Sequence, residues 1–87
     1  LGLTQQRLDT LHHTASSLAK GQLTLDEQTA ARQAAHKVAG VLGMFEREYG
    51  SVLAKQIEKN LESTDLSLQS QKVGELIQEL SDYLNLA

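Results

Sequence analysis

The 87 residues predict an all-α fold, an antiparallel up-down four-helix bundle, on three observations. Hydrophobic residues make up 40% of the chain, yet proline and cysteine are absent and Phe45, Tyr49 and Tyr83 are the only aromatics. A core must therefore be assembled from Leu, Val, Ile and Ala, the composition of a helical bundle. Apolar residues recur every three to four positions in four stretches, with no alternation that would read as strand. The connections between stretches are short, which suits antiparallel neighbours. A chain of this length forms one domain, near the lower limit for a self-sufficient core.

Thr4, Leu8, Leu11, Ala15 and Leu18 share one helical face, and Gly21 after Lys20 is a stop, so the first helix is expected over residues 4–20. Thr24-Leu25-Asp26-Glu27 has the form of a capping box and starts a second helix that runs to about Phe45. The stretch Glu46-Arg47-Glu48-Tyr49-Gly50 breaks the pattern. Val52, Leu53, Ile57 and Leu61 then define a third helix ending near Glu62. Ser63-Thr64-Asp65 offers turn chemistry and a cap, and Leu66, Val73, Leu76, Ile77, Leu80 and Leu84 form the fourth helix, slightly weakened by Gly74.

Composition narrows the function classes. A formal charge of −3 without a basic stripe argues against nucleic acid as partner. Without cysteine there is neither a disulfide framework nor a thiolate metal site, in keeping with a reducing compartment. No signal peptide and no long apolar run is present, so a cytoplasmic location without direct membrane contact is expected. The chain opens on Leu1 rather than Met, which points to a module of a longer protein whose other parts could include a membrane anchor. Between Gln28 and Phe45 the only charged residues are Arg32 and Lys37, a locally basic segment on an acidic chain that suits an anionic group or an acidic partner.

That segment carries the most informative pattern. At about 100° per residue, Ala31, Ala34, Val38, Leu42 and Phe45 fall on one side of the second helix and are the expected core. Thr29, Gln33, His36, Gly40 and Gly43 fall on the other. Two helix-interior glycines cost about 1 kcal/mol each relative to alanine, so a bare backbone beside His36 suggests that something must approach closely there. The alternatives are an ordinary solvated histidine and tight packing of the glycines on another helix. An exposed imidazole, whose ordinary pKa near ~6.5 leaves it largely neutral at physiological pH, is a competent nucleophile.

The run His36-Lys37-Val38-Ala39-Gly40-Val41-Leu42-Gly43-Met44-Phe45, with the amphipathic Leu53 to Leu61 stretch behind it, resembles the histidine phosphotransfer (HPt) domain of bacterial multistep phosphorelays. The likeness is to the subtype attached to hybrid sensor kinases and response regulators. It implies that His36 is phosphorylated by a receiver-domain aspartyl phosphate and passes the group to another receiver aspartate. It further implies that Gln33, Ala39, Gly40 and Gly43 belong to the docking face, on a platform made by the first two helices, and that the domain works as a monomer. No cofactor of its own is implied; Mg²⁺ is expected on the receiver, because no acidic cluster or phosphate loop surrounds His36. The family's phosphate-contacting lysine three residues after the histidine is replaced by Ala39, and its glycine ten residues after by Glu46. Arg32, one turn before His36, and Lys37, about 100° around the helix from it, are the candidate phosphate contacts, with a solvated flank as the alternative for Lys37.

Other readings follow from the same residues. His12 and His13 are adjacent, not the i, i+4 pair a helical metal site favours, and no metal site is expected. Glu75, Glu79 and Asp82 read as an exposed helix face. The competing function is a docking module, or a degenerate HPt domain, that binds a partner without phosphotransfer. An autonomous enzyme lacks any base, acid or cofactor constellation to support it.

Overall fold

A computed structural model of the chain describes residues 2–62 and 70–86, with side chains for 5–62 and 70–84. Four helices follow in order: α1 (Gly2–Ala19), α2 (Leu25–Met44), α3 (Glu48–Leu61) and α4 (Ser70–Leu86). The Ser63-Thr64-Asp65 turn and Leu66 as the first core position of the fourth helix lie outside the described residues, as does the side chain of Thr4.

The helix ends follow from local chemistry. Gly21 adopts φ +69°, its amide donates to the Leu18 carbonyl and that of Gln22 to the Ser17 carbonyl, the two bonds of a Schellman cap that closes α1. Thr24 caps α2 in the expected box: its hydroxyl accepts from the Glu27 amide at 3.1 Å, and the Glu27 carboxylate accepts from the Thr24 amide at 2.9 Å. The second carboxylate oxygen of Glu27 lies 3.3 Å from Nε2 of His13, an exposed residue, and this surface contact links α1 to the cap. The Thr24 amide bond is the main reason the Glu27 carboxyl titrates below its ordinary value of 4.5. A carboxyl whose folded pKa is depressed stabilises the fold above its unfolded pKa and loses that contribution as pH falls through the folded one. Glu27→Gln is therefore expected to lower the melting temperature at pH 7, with the difference from the parent closing below pH 4.5 in a thermal melt series.

Each helix packs on its sequence neighbours, and α1 closes the ring on α4. Neither diagonal pair of helices brings Cα atoms within 8 Å among the described residues. Cross-helix bonds set the antiparallel sense. Gln28 at the start of α2 donates through Nε2 to the Leu61 carbonyl at the end of α3, and Ser51 at the start of α3 donates through Oγ to the Ala39 carbonyl late in α2, at 2.9 Å. At the opposite edge of α3, the Tyr49 ring meets Tyr83 of α4 edge-on at 5.3 Å, and its hydroxyl donates to Glu79, which raises the Tyr49 pKa.

The core is aliphatic throughout: Leu8, Leu11 and Leu18; Ala31, Ala34, Ala35, Val38, Ala39 and Leu42; Leu53, Ala54, Ile57 and Leu61; Val73, Leu76, Ile77 and Leu80. Ala15 and Leu84 are partly buried against it. Phe45, expected in the core, and Val52, one of the apolar residues that define the third helix, lie outside it. Phe45 is 65% exposed because it caps α2, and the register with α3 sets it opposite the turn itself, where no further layer exists to cover it. Val52 is 47% exposed, since the buried line of α3 runs Gly50, Leu53, Ala54, Ile57, Leu61 and leaves Val52 on the outer side. The stretch expected to break the pattern does so only briefly, for α3 already begins at Glu48.

The turn between α2 and α3 is a second Schellman cap. The Glu46 amide donates to the Gly43 carbonyl and the Arg47 amide to the Leu42 carbonyl at 2.8 Å, with Glu46 at φ 60° in the left-handed position that glycine favours. Glu46 is the residue standing where the HPt resemblance would place glycine, so this departure falls on a helix cap. A left-handed non-glycine residue costs about 1–2 kcal/mol, partly offset by the greater unfolded-state freedom of glycine. Glu46→Gly is thus expected to stabilise the domain by about 1 kcal/mol, read as a rise of roughly 4 °C or more in melting temperature.

Candidate functional site around His36

His36 sits midway along α2, and its side chain is 74% exposed. The stripe Thr29, Gln33, His36, Gly40 and Gly43 is exposed over its whole length, so the expected polar face of α2 is present. Imidazole Nδ1 faces the Glu58 carboxylate of α3 at 3.2 and 3.3 Å from its two oxygens. Donation from Nδ1–H to a carboxylate selects the tautomer whose lone pair is on Nε2. The contact with Glu58 thereby leaves the ring lone pair on Nε2 and holds the ring toward α3.

Among the described residues nothing packs so close to Gly40 or Gly43 that glycine is required there. A Cβ at Gly40 would meet nothing within 4 Å, and one at Gly43 would make only an ordinary 3.7 Å contact with Ser51 Oγ. Side chains on a helix lean toward its N-terminus, so a residue at position 40 would lie over the turn that carries His36. The glycine at Gly40 keeps that approach to the imidazole open. Gly50 is the opposite case: a Cβ there would come within 2.9 Å of both Leu42 Cδ1 and Tyr83 Cε2, so α3 needs this glycine to close on its neighbours.

Ala39 departs from its expected place on the docking face. It is 4% exposed, and its carbonyl accepts the Ser51 hydroxyl. The reason is that α3 packs on that flank of α2 and widens the buried arc to include Ala35 and Ala39. The position where the family resemblance looks for a phosphate-binding lysine is therefore in the helix interface.

Arg32, Gln33, His36, Lys37, Glu58 and Glu62 line an open depression of about 530 Å³ beside the imidazole. It runs along the α2–α3 side of the bundle. Lys37 is exposed, whereas Arg32 is half-buried with its Nε covered and without a hydrogen-bond partner among the described residues. Among the described residues no group of three or more His, Cys, Asp or Glu is gathered as a metal site, and no helix is long and apolar enough to cross a membrane.

Glu58 is the site residue that the sequence does not single out. A tight turn centred on residues 46 and 47 between antiparallel helices pairs position 36 with position 58, and that register was its only available signal. No family model, curated protein or solved structure matches the chain, so the reading of this site rests on its geometry and on the likeness carried by the run from His36 to Phe45.

Proposed function

We propose that the chain is a phosphoryl carrier of a phosphorelay, with His36 accepting the group from a receiver-domain aspartyl phosphate and delivering it to another receiver aspartate. The observation that carries the reading is the combination at His36: an exposed imidazole with Nδ1 held by a carboxylate, next to glycines that no packing among the described residues requires. In the forward step the Nε2 lone pair attacks phosphorus, the Nε2–P bond forms, and the P–O bond to the aspartyl oxygen breaks to release the free carboxylate. The ring becomes an Nδ1-protonated phosphoimidazolium, and its positive charge faces Glu58. The reverse step on a second receiver restores the neutral imidazole. Glu58 is a positioning residue in both directions.

The domain supplies a nucleophile and an open approach, and the Mg²⁺ and acidic pocket that in-line phosphoryl transfer uses come with the receiver. An exposed carrier histidine suits a protein that must be visited by two partners in turn, and a monomer presents that face freely. The buried Ala39 favours a second reading, a docking module without transfer, because it removes one cation that the family resemblance would bring to the phosphate. Incubation with phosphorylated receivers of the same organism separates the two: acid-labile label on His36 supports the carrier, and receiver binding without label supports the docking module.

A further inference from the structure

The geometry points to Arg32 as the side chain that binds the phosphoryl oxygens once His36 is loaded, an inference that rests on the carrier reading above. Arg32 lies one turn before His36 and about 40° around the helix from it, on the flank that faces α3. A helical side chain leans toward the N-terminus, which carries the imidazole of His36 over the turn that holds Arg32 and Gln33. Both residues line the same depression, with Glu58 and Glu62 across from them on α3. The same register that sets His36 against Glu58 sets Arg32 against Glu62, one helical turn further along both helices.

The state of Arg32 is what distinguishes it from Lys37. Its Nε is buried and has no acceptor among the described residues. A covered N–H without an acceptor is costly, so a turn of the side chain that brings the guanidinium out to a phosphoryl oxygen in the depression also relieves that cost. Guanidinium Nε and Nη atoms form a planar fork that matches two oxygens of a phosphoryl group, whereas an ammonium acts as a point charge. Glu58 is occupied by the imidazole Nδ1, so its charge is matched by the ring when the ring carries phosphorus. The dianion on Nε2 is then left to Arg32. Lys37 also lines the depression but is exposed and about 100° around the helix from His36, where a contact of this kind is screened.

The test loads the histidine without a receiver. Phosphoramidate transfers its phosphoryl group to the intact chain, its P–N bond breaking and ammonia leaving as the Nε2–P bond forms. A His12→Gln, His13→Gln background leaves one phosphohistidine resonance, and its ³¹P shift is followed between pH 5.5 and 8.5 (on the order of the phosphoryl second ionisation). A guanidinium on the phosphoryl oxygens holds the dianion at lower pH, so Arg32→Gln is expected to raise the midpoint by about half a pH unit or more. Arg32→Lys should fall between the two, and Lys37→Gln should leave the midpoint in place. A coincident midpoint in Arg32→Gln, a larger shift in Lys37→Gln, or no phosphohistidine resonance at all overturns the assignment. Circular dichroism of each variant guards against a misfolded protein, with Arg32→Lys as the variant that keeps the charge and the aliphatic stem. Failure of a receiver to transfer label to His36, with the Arg32-dependent midpoint intact, strikes the carrier reading and not the anion contact.

Discussion

A His36→Gln variant is expected to take no acid-labile label from a phosphorylated receiver, while keeping the helical content and melting temperature of the parent. Glutamine retains an amide of similar reach on an exposed face, so nothing in the core changes, but it removes the nucleophilic ring nitrogen. Because the effect is the loss of a bond-forming atom, it is all-or-none; label remaining at the parent level would move the phosphorylated residue elsewhere in the chain. A companion variant tests the open approach. Gly40→Leu should stabilise the helix, since a Cβ there meets nothing within 4 Å, yet lay a branched side chain over the turn of His36. A tenfold or larger drop in transfer rate, about 1.4 kcal/mol or more in barrier, is expected together with an unchanged or raised melting temperature. Equal transfer rates would remove the steric role of the bare backbone. Gly43 is the less clean position, because a large side chain there would press on Ser51 and its bond to the Ala39 carbonyl.

The second large effect concerns stability and separates two kinds of glycine by sign. Gly50→Ala forces a methyl to within 2.9 Å of the buried Leu42 and the half-buried Tyr83 ring, and overpacking of this kind costs about 1–3 kcal/mol. The helix-propensity gain of alanine, about 1 kcal/mol, offsets only part of that. Gly40→Ala receives the same propensity gain with no opposing contact. Chemical denaturation of the two variants should therefore move the midpoints in opposite directions, Gly50→Ala down and Gly40→Ala up, and Gly50→Val should lower it further, by about 3 kcal/mol in total. For a chain of 87 residues, whose whole stability is on the order of 5–10 kcal/mol, that is a large share. A stabilised Gly50→Ala would mean that α3 has room to shift away from α4.

Glycines also show where one-dimensional reading fails. Gly40 and Gly43 are conspicuous in the sequence because they interrupt a helix rich in alanine, and the bundle leaves them bare. Gly50 stands next to a turn and reads as part of the break, although it is the glycine the packing cannot replace. Whether a glycine faces solvent or a neighbouring side chain depends on which helix lies across from it, and that is a tertiary fact. The same holds for Phe45, at the correct angle for the core but one layer past its end, and for Ala39, which the family resemblance puts on the docking face but α3 covers.

The four helices, the capping box at Thr24, the stop at Gly21, the aliphatic core of α1 and α4, and the exposed face of His36 were all determined by the sequence itself. Each depends on spacing along a single helix or on a backbone preference within a few residues, so each is legible without knowing which helix lies across from it. Only the tertiary structure decided that Glu58 faces Nδ1 of His36, that Ala39 is buried while Arg32 stands half-covered beside the imidazole, and that Gly50 admits α3 to its neighbours. These depend on the register and flank on which α3 returns along α2, which are set by the cap at Glu46 and by the Ser51 and Gln28 bonds between helices.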